Sequence, residues 1–380
     1  MRGSGDAPSL GPVAPIPLTV LTGFLGAGKT TLLNRLVRDP ALADAAVLIN
    51  EFGEIGLDHM LVEHVRDDGL VMLTTGCLCC TMRGDLVTAL EKLLRELDNG
   101  RAAFRRVIVE TTGLADPAPI LHTTMAHPYL LMRFRLDGVI TVIDAVNAMA
   151  TLDAYPESVK QAAVADRLVL TKTDLLKTAD QRAALEQLLA RLSAVNPAAP
   201  CLDAACGEAQ PARLLDCGLY DPATKSPDVK RWLAEEAYAR TDHHHHAHAL
   251  DVNRHNDDIR AFSLATEAAL PASAFDMFLE LLRSVHGPDL LRLKGVVKLS
   301  EEPETPLVVH GVQHLLHPPA RLARWPDDDR RTRLIFIVRA AAEPKIKELF
   351  QAVLSSAAPD RPDRLALVEN PLTPFGGVDR

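Results

Sequence analysis

Three cysteines fall within five residues of this chain, Gly76-Cys77-Leu78-Cys79-Cys80, and parts of a phosphate-binding pattern lie on both sides of them. Thiolates spaced this closely suit a metal such as zinc, which takes sulfur ligands in tetrahedral sites. Cys77, Cys79 and Cys80 would fill three positions of four. Glu51, Glu54, Asp58 and His127 are candidates for the fourth. Glu54 gains weight because Asn50-Glu51-Phe52-Gly53-Glu54 follows an apolar run, where nucleotide-sensing loops sit. Other readings of the cysteines are a metal-free turn, an iron–sulfur cluster or a redox pair. Iron–sulfur clusters usually need four cysteines, and the spacing here is C-x-C-C rather than C-x-x-C.

The phosphate pattern begins upstream. Gly23-Phe24-Leu25-Gly26-Ala27-Gly28-Lys29-Thr30 matches G-x-x-x-x-G-K-[ST], the loop whose backbone N–H groups close around phosphate oxygens. Gly26, Ala27, Gly28 and Thr31 belong to that cradle. Lys29 would reach the β- and γ-phosphates, and the Thr30 hydroxyl would hold Mg²⁺. Downstream, Val107-Ile108-Val109 runs into Glu110-Thr111-Thr112-Gly113. Glu110 could hold the metal through water or orient the attacking water, and Gly113 would let its N–H approach the γ-phosphate. Thr171-Lys172-Thr173-Asp174 then resembles the N-K-x-D guanine signature, with Thr171 in place of the usual Asn. Asp174 would accept from guanine N1 and N2, and the Lys172 stem would pack along the base. That favours GTP and GDP over adenine nucleotides.

These residues need strands to carry them. Pro17–Leu21, Ala45–Ile49, Leu70–Thr74, Arg106–Val109, Gly138–Ile143 and Arg167–Leu170 are short apolar runs. Helical spacing appears in 29–38 and 85–97. Nearly continuous apolar strands alternating with helices predict an α/β, P-loop NTPase domain with a mostly parallel sheet, covered on both faces. Beyond it, strands near 259–266, 291–299, 307–316 and 333–338, with helices at 271–285 and 344–354, predict a smaller α+β domain. Its sheet should be mostly antiparallel.

At 380 residues the chain is long enough for two or three domains. The expected division is a flexible leader over 1–16, a nucleotide domain over 17–218, a His-rich linker or loop over 219–256, a second domain over 257–354 and a flexible tail over 355–380. Aromatic residues make up only 4%, so Leu, Val, Ile and Ala must fill the cores. A net charge of −9 without a long basic run argues against nucleic acid as a partner. No apolar run approaches the roughly 18 residues of a membrane span, and the start lacks a signal-peptide pattern, so a cytoplasmic protein is expected. The scattered Cys201, Cys206 and Cys217 read as structural. His243-His244-His245-His246-Ala247-His248 reads as a weak, exchangeable metal recruiter beside the main site.

Together these stretches resemble the CobW branch of the G3E P-loop GTPases, particularly its zinc-linked metallochaperones. The likeness rests on Thr22 to Thr31, Asn50 to Glu54, Gly76 to Cys80, Glu110 to Pro117 and Thr171 to Asp174. It continues through Leu291-Arg292-Leu293-Lys294-Gly295 and His310-Gly311-Val312-Gln313, which resemble the family's C-terminal domain. The resemblance implies a slow GTPase that binds Zn²⁺, or Co²⁺ or Ni²⁺, and hands it to a metal-dependent client. A nucleotide- or metal-dependent homo-oligomer fits the same picture. Two other functions stay open: a regulatory GTPase with a structural zinc, and a metal storage or sensing protein. Some members carry an acidic residue just before the Asn-Glu-Phe-Gly stretch. Here it is Ile49, which puts an auxiliary metal site using that carboxylate in doubt. Arg292 and Lys294 are expected to be exposed and to form a docking surface.

Overall fold

The long apolar runs become the inner strands of one large sheet, because helices cover both of its faces. The structure is a computed structural model. It describes residues 15–51, 61–64, 71–76, 82–216, 259–313, 315–316 and 319–356, and the side chains of all of these but 50–51, 61–64, 71–76, 82–85, 125, 126 and 356. The first unit contains β1 (Ile16–Gly23), α1 (Lys29–Leu36), β2 (Ala45–Glu51), β3 (Leu61–His64), β4 (Val71–Gly76), α2 (Met82–Asp98) and β5 (Arg106–Glu110). It continues through α3 (Ala118–Ala126), α4 (Pro128–Arg133), β6 (Phe134–Asp144), α5 (Ala148–Ala154), α6 (Pro156–Ala163), β7 (Arg167–Thr171), α7 (Ala179–Val195), β8 (Cys201–Asp203) and α8 (Pro211–Leu214).

The strands lie in the order β3-β4-β2-β5-β1-β6-β7-β8. Every pair is parallel except β3–β4, an antiparallel edge. Parallel strands end on one side of a sheet. Gly23, Glu51, Gly76, Glu110, Asp144 and Thr171 are therefore all delivered to the same edge. The order reverses around β1, which opens a crevice at the carboxyl ends where such sheets bind ligands. Side chains alternate along β1 as the pleat requires. Leu18 and Val20 pack against α2 and α3, whereas Leu21 packs against α1.

The second unit contains β9 (Ile259–Thr266), α9 (Ala272–His286), β10 (Leu290–Val297), β11 (Leu307–Val312), β12 (Leu315–Leu316), β13 (Ala320–Arg321), β14 (Thr332–Arg339) and α10 (Glu343–Ser356). Its sheet runs β12-β11-β10-β14-β9, antiparallel throughout, with β13 also paired to β11. One face packs against α9 and α10, where Phe275, Phe278 and Phe350 join Phe262 and Phe336. The other face meets the first unit. Ala261, Leu291, Val296, Ile335 and Ile337 share one apolar cluster with Leu168, Leu188 and Leu192.

Three expectations change. Arg292 and Lys294 are buried, at 4% and 9% exposure, and both bond Asp166 of the first unit. They are interface residues and not a docking surface. The single strand expected over 307–316 is a hairpin, turned at Gln313 with φ at 52° so that Leu315 pairs back on Val312. Finally, β1 begins at Ile16 and α10 runs to Ser356, so both take in residues expected in the flanking segments. The His243–His248 cluster lies outside the described residues. Among the described residues, no helix is long and apolar enough to cross a membrane.

Candidate nucleotide and metal site

The loop after β1 turns into α1 through Gly28, whose φ of 93° lies in the left-handed region that glycine enters without strain. Lys29 folds back across this loop. Its Nζ donates to the carbonyls of Gly23 at 2.9 Å and Phe24 at 3.2 Å. Burial pulls the Lys29 ammonium below its ordinary pKa, and Glu110 partly offsets that. The cation therefore spans the mouth of its own backbone ring, close to where phosphate oxygens would meet the loop N–H groups.

β5 brings the second part. Glu110 is 4% exposed, and its Oε1 accepts from the Thr30 hydroxyl at 2.8 Å. A hydroxyl and a carboxylate side by side offer oxygen donors that fit a hard cation such as Mg²⁺. Thr111 donates to the Thr22 hydroxyl at 2.8 Å, tying the ends of β5 and β1 together. Three residues past Glu110, Gly113 lies against the phosphate loop so tightly that a Cβ there would be 2.5 Å from Leu25 Cα. Only glycine fits this approach.

β7 brings the third part. The Thr171 hydroxyl donates to Ala27 O at 2.7 Å. The residue that departs from the guanine signature therefore braces the phosphate loop. Lys172 adopts φ of 62°, and its Nζ bridges Gly26 O at 2.9 Å and Asp144 Oδ2 at 2.7 Å. Asp174 is exposed beside it. Asp144 also accepts from the Asn147 side chain at 2.8 Å and from the Val146 amide at 2.9 Å. Burial opposes its charge. The bonds from Lys172, Asn147 and Val146 outweigh that and hold its carboxyl below the usual range. Lys29, Thr30, Glu110, Gly113, Thr171, Lys172 and Asp174 are thus gathered at one sheet edge from three strands.

Sequence reasoning missed Asp144, although it ends an apolar strand just as Glu110 does. It also missed Gln161. This amide on α6 is 1% exposed and donates to the carbonyls of Gly113 at 3.3 Å and Ala115 at 3.0 Å. A long polar residue on a helix face otherwise buried through Ser158, Val159, Ala162 and Ala163 was the available signal.

Cys77, Cys79, Cys80, Glu54 and Asp58 lie outside the described residues, and the Glu51 side chain is not described. The backbone still fixes where the motif begins. Glu51 pairs with Gly76, so the residue before Cys77 lies beside the end of β2. With β4 two strands from β5, that start is about 10 Å across the sheet from the Glu110 strand. His127 stands at the joint of α3 and α4, and its Nδ1 is buried without a hydrogen-bond partner among the described residues. Burial pushes the Cys201 thiol up to about 11, which favours the neutral form. Cys206 is exposed, and its hydrogen bond to Asp203 raises its pKa too. Among the described residues, no group of three His, Cys, Asp or Glu side chains is arranged to hold a metal.

Known proteins resemble this chain in sequence and fold. The model of the CobW/HypB/UreG nucleotide-binding domain matches residues 17–203, and that of the cobalamin synthesis protein CobW C-terminal domain matches residues 259–354. The zinc chaperone YjiA of Escherichia coli K12 is 34% identical over 337 residues, covering 88% of this chain and 98% of that protein. The zinc chaperone CobW of a Sinorhizobium species is 30% identical over 349 residues, covering 85% of this chain and 92% of its own. The zinc-regulated GTPase metalloprotein activator 1 of Schizosaccharomyces pombe is 40% identical over 170 residues, 43% of this chain and 40% of that one. A crystal structure of Zn(II)-bound YjiA GTPase from E. coli superposes with a TM-score of 0.64 at 28% identity, covering 90% of this chain and 99% of that one.

Proposed function

This chain belongs to the CobW/HypB/UreG family, and on that premise we propose that it is a GTP-hydrolysing zinc chaperone that passes metal to a client protein. The observation carrying the reading is the shared sheet edge. Glu110 and Thr30 meet there, and the strand leading to Cys77 ends there beside Glu51. Relatives named as zinc chaperones and as a zinc-regulated GTPase support the same assignment.

In this reading the N–H groups of Gly26 to Thr31 hold the β- and γ-phosphates of GTP, and Lys29 places its charge against them. Thr30 and Glu110 hold Mg²⁺, with Glu110 acting through water. When bound, the ion neutralises charge on the β- and γ-phosphate oxygens. The Thr30–Glu110 contact favours this metal-holding role for Glu110 over that of orienting the attacking water. Asp174 selects guanine, and Lys172 is held under the base by Asp144. Gly113 meets the γ-phosphate. Cys77, Cys79 and Cys80 bind zinc, with Glu54 as the fourth ligand. The nucleotide domain, linker and second domain follow the expected boundaries, widened to Ile16 and Ser356 where β1 and α10 extend past them.

Zinc transfer requires a difference in zinc affinity between nucleotide states, since a ligand shifts an equilibrium only by its differential affinity. The reading is tested by nucleotide and zinc binding to the full chain. GTP should bind more tightly than ATP. Lys29→Ala should lower GTP turnover about 10²–10³-fold, as loss of one electrostatic contact to a reacting group typically does. Replacing Cys77, Cys79 and Cys80 together by serine should abolish tight zinc binding. Equal affinity for ATP, or tight zinc retained by the serine variant, rejects it.

A further inference from the structure

We propose that Gln161 is a positioning residue for the γ-phosphate loop, and that α6 links this loop to the C-terminal unit through Asp166. The inference rests on the proposed contact between Gly113 and the γ-phosphate.

Two sets of contacts meet on one short stretch of chain. At the first, the Gln161 amide places its donors on the carbonyls of Gly113 and Ala115. Lys160, its neighbour, reaches Asp116 Oδ2 at 3.5 Å. The loop after β5 is thus held by Gln161 on one side and pressed against Leu25 at Gly113 on the other. The helix itself is fixed to the sheet, because the Thr141 hydroxyl donates to the Gln161 carbonyl at 2.7 Å. α6 also touches the phosphate loop directly, where Tyr155 at its start packs on Phe24 with ring centroids 4.6 Å apart. A cavity of about 240 Å³ lies there, lined by Leu25, Ser158 and Gln161 among others.

At the second, five residues on, Asp166 is 4% exposed and fixed to β6 by paired bonds with Val139. Its amide donates to Val139 O at 2.7 Å, and its Oδ2 accepts from the Val139 amide at 3.0 Å. Its Oδ1 accepts from Arg292 at 2.5 Å and Lys294 at 2.6 Å. Those two residues alternate along β10 and so face the same way, and His310 is paired with Lys294 on β11. Between the two anchors, the Asn196 amide holds the carbonyls of Ala162, Ala163 and Ala165 at 2.9, 3.0 and 2.9 Å. A change in the loop on binding a γ-phosphate therefore reaches α6 through two buried hydrogen bonds. It reaches β10 through a buried ion pair. The same path runs in reverse when a partner displaces the C-terminal unit.

The test is the ratio of affinities for a non-hydrolysable GTP analogue and for GDP, measured on the full chain. Gln161→Met keeps the volume and removes both donors. It should weaken analogue binding about tenfold, the size expected for buried hydrogen bonds lost from one nucleotide state, with GDP affinity changed less than about twofold. Asp166→Asn should shift the same ratio about threefold, within the range of coupling seen for residues remote from both ligands. If Asp166→Asn does not fold, Lys294→Gln serves in its place. A purely structural role would lower stability and leave the ratio alone. An unchanged ratio in Gln161→Met overturns the positioning role, and an unchanged ratio in the Asp166 or Lys294 variant overturns the link. Gly113→Ala separates the two readings. If it leaves the ratio unchanged, the nucleotide site itself is misassigned. If it shifts the ratio while Gln161→Met does not, only this inference fails.

Discussion

At the amino edge of the eight-stranded sheet, Asp137 has no exposure and its Oδ2 accepts from Thr19 at 3.0 Å, from Arg106 and from the Asp216 amide at 2.9 Å. At the carboxyl edge, Glu110 is nearly as buried but meets the hydroxyl of Thr30 at the mouth of a glycine-rich loop. Both carboxylates end up in the interior of the same sheet. The first is closed by cationic and neutral donors from β1, β5 and the segment after α8, so it works as a lock. The second sits among groups that the proposed nucleotide would complete: Lys29 bent over its own loop, Lys172 drawn down by Asp144, and Gly113 pressed on Leu25. Buried charge alone does not mark a site. What separates the edges is backbone shaped for close approach next to the charge.

Breaking the amino edge should produce the largest effect. Asp137→Ala strips the half-buried Arg106 guanidinium of its buried partner, leaving it the exposed Asp216, and unpairs the Thr19 hydroxyl, so it should cost about 3 kcal/mol of stability in urea unfolding. The folded fraction should keep its preference for GTP over ATP. A lost preference at constant stability would erase the distinction drawn between the edges.

How much of this was readable beforehand follows the range of the interactions. Gly23 to Thr30 is legible because its glycines and Lys29 stand at fixed local spacing, although Thr171 and Lys172 also hold the loop from far along the chain, and Glu110 is legible because it ends an apolar strand. The parallel sheet is legible because both-face burial leaves continuous apolar runs. Arg292 and Lys294 were misread because charged residues alternating with leucine look like the wet face of a half-buried strand. Here that face meets another domain, and the carboxylate that neutralises it is 126 residues away for Arg292. Gln161 was missed for the same reason, since its partner Gly113 lies 48 residues upstream. Thr171 stands where the guanine signature has asparagine. Its bond to Ala27 O shows that it also braces the phosphate loop.

A smaller effect sharpens the carboxyl edge. Asp144→Asn removes the charge that draws Lys172 onto the loop and should cost about 0.5–1 kcal/mol in urea unfolding at pH 7, since the group is partly exposed. The folded-state pKa of Asp144 is depressed, so its contribution is fully present above the unfolded value near 4 and is lost as pH falls toward the folded value. The gap between wild type and variant should therefore hold from pH 7 to about 5 and narrow below about 4. A gap that widens on acidification would assign the stabilising form to the protonated acid.

The most direct measurement is zinc affinity of the full chain with a GTP analogue, with GDP and without nucleotide. Shared placement of Glu51, Gly76 and Glu110 at one sheet edge predicts that affinity in the analogue and GDP states differs by at least about fivefold, the lower end of ordinary allosteric coupling. Equal affinity in all three states would contradict the account and leave the cysteines as a zinc site independent of the nucleotide.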